Sequence, residues 1–265
     1  HRTGEASQID PGWATGAAVG AVARVRWMED QPVEEAEPGR AWGIGHVVAG
    51  VVIGMVASVV VAGLIFTLGD YEVDEVLPLS MVAVMQAALW VGLLGVPLWL
   101  VVVRGVRWSD LGWGARARDV WGGLWVGVVC QMFVVPVIYL PLLLLDDDLD
   151  ISAPARELAD KADSLGGILL LVLSVVIGAP IVEEVFFRGL ALRAFEARMR
   201  PRVALVVSAV VFGFAHLQPL QFPALVTIGL VCGWLVQRDG RLGRAVWAHL
   251  GFNAVAVTML LVGVG

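Results

Sequence analysis

The sequence predicts an all-α, polytopic transmembrane bundle of about seven spanning helices with its N-terminus in the cytoplasm. Three observations carry that reading. Of the 265 residues 58% are apolar and only 16% charged, and the mean hydropathy is +0.82, far outside the soluble range. The apolar residues gather in seven long runs. The charged residues between the runs alternate in sign along the chain. The net charge of −6 says little about partners, because its distribution across the loops matters here and its total does not. The expected surroundings are a lipid bilayer, the cell membrane if the chain is prokaryotic. Nucleic acid is not an expected partner.

Residues 1–41 are polar to weakly apolar, with Glu34, Glu35 and Glu37 near their end, and read as a flexible tail. They do not read as a signal peptide, because the charged region is too long and the next apolar run exceeds a signal h-region. That run, 42–68, is longer than the roughly 20 residues a helix needs to span. Runs at 77–103, 121–145, 166–192, 203–217, 222–236 and 245–264 follow, so 42–265 reads as one membrane domain. The fifth and sixth runs are short: about 15 residues at 1.5 Å each cover roughly 22 Å of a hydrocarbon core about 30 Å thick. Between them, Gln218-Pro219-Leu220-Gln221-Phe222-Pro223 has no charge and two prolines. It is expected to turn within the membrane beside a wet cavity, since irregular backbone survives there only where protein or water satisfies it.

The loops set the orientation. The first holds Asp70, Glu72, Asp74 and Glu75 without a cation, and the second Arg104, Arg107, Arg116 and Arg118. The third holds Asp146, Asp147, Asp148 and Asp150, the fourth Arg193, Arg198, Arg200 and Arg202, and the sixth Arg238, Arg241 and Arg244. The excess of arginine on alternate loops places those loops, and the N-terminus, inside. Trp42, Trp108, Trp113, Trp121 and Trp247 lie at the basic ends, as an interfacial belt would. His46 reads as interfacial, and Cys130 and Cys232, inside apolar runs, as packing residues.

The fourth run carries the anomaly on which function turns. Glu183, Glu184 and Arg188 lie inside it. An ionised group at a helix centre costs about 2.5 to 3.5 kcal/mol, so the unpaired trio would cost roughly 7 to 10. Glu184 and Arg188, four apart on one face, can neutralise each other. Glu183 is rotated away by about 100° and lacks a local partner. The later runs add His216, then His249 and Asn253, which share a helix face. Counted in from the basic loops, Glu183, Asn253, His249 and His216 lie roughly 15, 14, 8 and 21 Å deep. All four can reach one cavity.

Such a set supplies the parts of peptide hydrolysis without a covalent intermediate. A carboxylate in a low-dielectric cavity is suited to deprotonate water. An imidazole and an asparagine amide can hold that water or act as two donors to an oxyanion. Zinc is the competing chemistry, with Glu183, His216 and His249 as ligands. Against it, the chain lacks a His-Glu-x-x-His helix and asparagine is a poor zinc ligand, so no cofactor is the expectation and zinc the alternative. Two other classes stay open: a non-catalytic membrane protein that binds a partner, as an immunity or assembly factor, and a transporter that uses the same groups as a proton relay.

Glu183-Glu184-x-x-x-Arg188, Phe212-x-x-x-His216 and His249-x-x-x-Asn253, in that order on successive late helices, resemble the three motifs of the CAAX prenyl endopeptidase and bacteriocin-processing family of intramembrane proteases, the CPBP or Abi proteins. The resemblance covers about residues 166–257. It implies a peptidase in which Glu183 activates water, His216 helps hold it, and His249 and Asn253 form the oxyanion site. Glu184 and Arg188 would organise the cavity, with Phe212 in the second motif. The substrate would be a peptide or a lipidated protein. The family is often labelled metalloprotease, a label the residues themselves do not independently support.

Overall fold

A computed structural model describes residues 41–69, 71, 76–146 and 149–263. Most of the expected tail and parts of both acidic loops therefore lie outside the described residues. Eight helices occur among those described: α1 Ile44–Leu68, α2 Leu79–Arg104, α3 Ala117–Leu143, α4 Ala153–Asp160, α5 Leu165–Glu196, α6 Pro201–Ala215, α7 Phe222–Asp239 and α8 Gly243–Leu261. Each of the seven apolar runs is a helix. Five of them (α1, α2, α3, α5 and α8) are long and apolar enough to cross a membrane, while α6, with 15 residues, is shorter. The short helix α4, in the acidic connection, went unseen in the sequence because its apolar residues are too few to stand out.

Helix α5 is the hub. From Glu184 to Leu192 every residue is buried, which for a helix means neighbours on all sides. Helices α1 and α2 pack together on one flank, α6 and α7 on another, and α3 lies along α8. The outward faces are apolar, as lipid requires; Val59 of α1 is 70% exposed and Trp121 of α3 70%.

Two of these pairings depend on small residues, since apolar burial does not drive helices together in lipid and close van der Waals approach must. A Cβ added at Gly92 would fall on the backbone of Gly50 and Gly54, and one at Gly127 on Ala248 and Phe252. Replacing Gly127 by leucine is expected to prise α3 from α8. The cost should be at least about 1 to 3 kcal/mol, read as a lower unfolding midpoint in detergent; an unchanged midpoint would contradict this packing.

At the basic end, Asp119 in the first turn of α3 is fully buried. Its carboxylate accepts from Arg241 at 2.6 and 3.0 Å and from the Arg116 N–H at 2.7 Å. Backbone bonds from Leu242 to Gly112 and from Gly243 to Gly114 complete the clamp, which fixes where α8 begins. Trp42, expected in an interfacial belt, is instead 7% exposed, with its indole N–H on Leu190 O at 3.2 Å. His46 accepts from the Gly43 N–H and stacks on Trp99, so it caps α1.

The winding of α5 changes around its one proline, Pro180. It widens to π geometry at Val172–Gly178, returns to α over Ala179–Glu183, and widens again at Glu184–Leu192. In the first stretch the Ala179 N–H bonds five residues back, to Ser174 O. The next donor would serve Val175 O, but residue 180 is proline and has no N–H. Val175 O therefore needs a donor from elsewhere, and another helix supplies it.

Candidate active site

Three helices converge on one carboxylate oxygen. Glu183 stands at the last residue of the short α segment of α5, 8% exposed. His216 follows directly after α6, and His249 lies two turns into α8, 3% exposed. Glu183 Oε2 is 3.8 Å from His249 Nε2 and 4.0 Å from His216 Nε2. Those separations are too long for direct hydrogen bonds and are of a length that one intervening atom bridges.

Both imidazoles are held by the nitrogen that faces away from Glu183. His216 Nδ1 lies 2.9 Å from Phe212 O, four residues back. A carbonyl only accepts, so Nδ1 carries the proton and a neutral His216 offers a lone pair at Nε2. His249 Nδ1 lies 2.9 Å from Glu184 Oε1. Glu184 Oε1 also forms an ion pair with Arg188 Nη1 at 3.0 Å, so it is a carboxylate and His249 Nδ1 is a donor. The partnership of Glu184 with Arg188 expected from their spacing is present, and it does more than neutralise charge: it fixes a histidine.

The Glu184 and Arg188 side chains are fully buried. Arg188 Nη2 donates to Gly229 O at 3.2 Å, and its guanidinium lies 4.4 Å over the Phe212 ring. Phe212 in turn meets His216 at 4.7 Å and His249 at 5.7 Å between ring centroids. The aromatic of the second motif thus sits against the cation and both imidazoles, an apolar wedge that keeps the rings apart. Ser208, one turn earlier on α6, donates to Phe187 O at 3.1 Å and ties α6 to the π stretch that holds Arg188.

Asn253 is placed differently from the other three. Its amide Nδ2 donates at 2.8 Å to Val175 O, the carbonyl that Pro180 leaves without a helical partner. One amide hydrogen is thereby committed to repairing α5, and the second is left over. The repair also sets α8 against α5 at the depth where His249 reaches Glu183. Sequence reading missed this link, though Pro180 inside an apolar run was its signal.

Two donor sets suit a cation to different degrees. Glu183 Oε2 with the two Nε2 atoms has the right donor types, each histidine's other nitrogen being anchored on a carbonyl or carboxylate as metal-bound imidazoles usually are, but the three atoms are not gathered within 4.8 Å of one another and would have to draw together to hold an ion. Glu184, Cys232 and His249 do lie within 4.8 Å of one another. That second set does not fit, because Arg188 already occupies Glu184 and would repel a cation. Cys232 is a free, buried thiol whose S–H lies 3.5 Å from Ala245 O, in keeping with a packing role.

The turn at 218–223 borders a cavity of about 340 Å³ lined by Tyr139, Gln221, Ala224, Leu225 and Phe252 among others. The cavity expected there exists, but its walls are mostly apolar. The backbone of the turn is satisfied by protein instead, with Tyr139 OH on Leu220 O at 2.6 Å and turn bonds from Gln221 to Gln218 and from Phe222 to Pro219.

The family described as Rce1-like, type II CAAX prenyl endopeptidase, matches residues 165–255. The "Putative membrane peptidase YdiL" of Bacillus subtilis (strain 168) is 29% identical over 93 residues, which are 35% of this chain and 38% of that protein. The chain therefore spans less than two-fifths of the length of this curated relative. No solved structure matches. The resemblance read from the three motifs is borne out: this is an integral, multi-pass membrane protein whose segment 165–255, the one that carries Glu183, His216, His249 and Asn253, is similar to the Rce1-like CAAX endopeptidases.

Proposed function

We propose that the chain is an intramembrane endopeptidase that hydrolyses peptide bonds with a water activated by Glu183. The observation that carries the proposal is the convergence of two Nε2 atoms on Glu183 Oε2 within 4.0 Å. A water in that space donates one hydrogen to Glu183 and the other to His216 Nε2, which leaves its lone pairs free to attack. As the water oxygen bonds to the carbonyl carbon, its proton passes to Glu183. The oxyanion that forms is met by His249 in its doubly protonated form, donating from Nε2, with the Glu184 carboxylate behind Nδ1 balancing the charge. The second hydrogen of the Asn253 amide is the other donor. Glu183 then returns the proton to the leaving nitrogen, the C–N bond breaks, and an acid and an amine depart. The substrate is a peptide, or a lipidated protein segment, presented from the bilayer.

A zinc-dependent form of the same reaction is the second reading, favoured by the anchored Nδ1 atoms of both histidines. Glu183, His216 and His249 would hold the ion, which would supply a water already acidified by the metal. The test is cleavage of a panel of prenylated and transmembrane peptides by the purified protein in detergent, with and without a chelator. The expected result is cleavage that survives chelation. Cleavage abolished by chelator and restored by zinc would turn Glu183 from base into ligand. A folded protein that cleaves no member of the panel would count against the peptidase reading and for partner binding.

A further inference from the structure

His216 stands at the start of an unusual turn. Leu217, the next residue, has φ of 54° and is, among the described residues, the one non-glycine with a positive φ. A Cβ disfavours that left-handed conformation, so the surroundings must hold it there, and such outliers gather where geometry matters to function. The hold comes from a different helix. Tyr139 of α3, 4% exposed, donates its hydroxyl to Leu220 O at 2.6 Å and receives the Ala224 N–H at 3.4 Å. The one phenol thus joins the end of the turn to the start of α7. At the turn's other end the imidazole of His216 is fixed on Phe212 O, with Nε2 4.0 Å from Glu183 Oε2.

We infer that Tyr139 is a positioning residue for His216. It pins the turn at Leu220 so that Leu217 stays left-handed, and that conformation sets the height at which the His216 ring meets Glu183. Without the phenol hydroxyl, Leu217 can relax to an ordinary backbone conformation, and the chain direction just after His216 changes with it. The inference rests on the proposal that His216 holds the attacking water. The Tyr139 ring also walls the apolar cavity beside Gln221 and Ala224, so only the hydroxyl should be removed in a test.

Tyr139→Phe does that. Ring-¹⁵N-histidine spectra of the detergent-solubilised protein report each imidazole, with His216 assigned by its loss in His216→Asn and His46 of α1 as an internal reference. The expected result is a His216 signal that moves while the His46 signal stays. For any peptide the wild type cleaves, kcat should fall about tenfold or more with KM held within about twofold, because misplacement of a catalytic group by a fraction of an ångström acts on the chemical step. Adding Leu217→Gly, which takes the left-handed conformation freely, should restore most of the His216 signal and of the rate. A Tyr139→Phe protein with wild-type His216 signal and wild-type kcat would overturn the inference. If Glu183→Gln has lost cleavage in the same series, the peptidase reading stands without the clamp. If Glu183→Gln cleaves normally, that reading falls and the histidine spectra alone decide the clamp.

Discussion

Replacing Arg188 by methionine is expected to destabilise the bundle by about 3 to 5 kcal/mol, the cost of leaving a buried charge without its partner. The Arg188 and Glu184 side chains are 1% and 0% exposed and meet at 3.0 Å. With the guanidinium gone, the Glu184 carboxylate would be left in the core with only the His249 N–H to satisfy it. The double change Glu184→Gln with Arg188→Met removes both charges and should recover most of the loss, because a neutral pair of similar size is often no less stable than the ion pair it replaces. Unfolding midpoints of the three proteins in detergent check this. A single variant within about 1 kcal/mol of wild type would mean that the pair is dispensable to the fold. The double variant, though stable, should still be impaired in cleavage, since His249 would lose the carboxylate that fixes its ring.

How much of this was legible in the sequence varied with the length scale of the signal. The seven helices were legible because lipid forces long apolar runs, and their ends were wrong by only a few residues. The pairing of Glu184 with Arg188 was legible because it is local, four residues apart on one helix. The convergence of Glu183, His216 and His249 was expected only as a shared cavity, because residue counting fixes depth and says nothing of rotation. What stayed hidden depended on winding and on contacts between helices. The π stretches of α5 have no composition of their own, so although Pro180 signalled a carbonyl without its helical donor, neither its position at Val175 nor its capture by Asn253 followed from the sequence. Leu217 and Tyr139 were equally silent, since a leucine does not advertise a left-handed backbone and Tyr139 lies 81 residues from its acceptor. What holds the turn beside the cavity was hidden for a related reason: its Leu220 carbonyl is met by a phenol from α3.

The second large effect concerns Glu183 itself. A general base in the transition state contributes about 10² to 10⁴-fold, and an amide cannot take a proton from water, so Glu183→Gln should lose that factor. The substitution should not harm the fold. Glu183 is 8% exposed and faces two histidines at 3.8 and 4.0 Å rather than an arginine, and His249 keeps the Glu184 carboxylate at 2.9 Å as its counter-charge, so removing the charge of Glu183 removes a desolvation cost. Activity and stability are thus expected to part company, as they would not if Glu183 were a structural ion-pair partner.

The most direct measurement is the rate at which purified wild-type and Glu183→Gln proteins, in the same detergent and in the presence of a chelator, cut one defined bond in a peptide that the wild type cleaves. The account predicts that the variant unfolds at the wild-type midpoint and cuts at least about a hundredfold more slowly. A variant that cut within a few-fold of the wild-type rate would show that some other group activates the water.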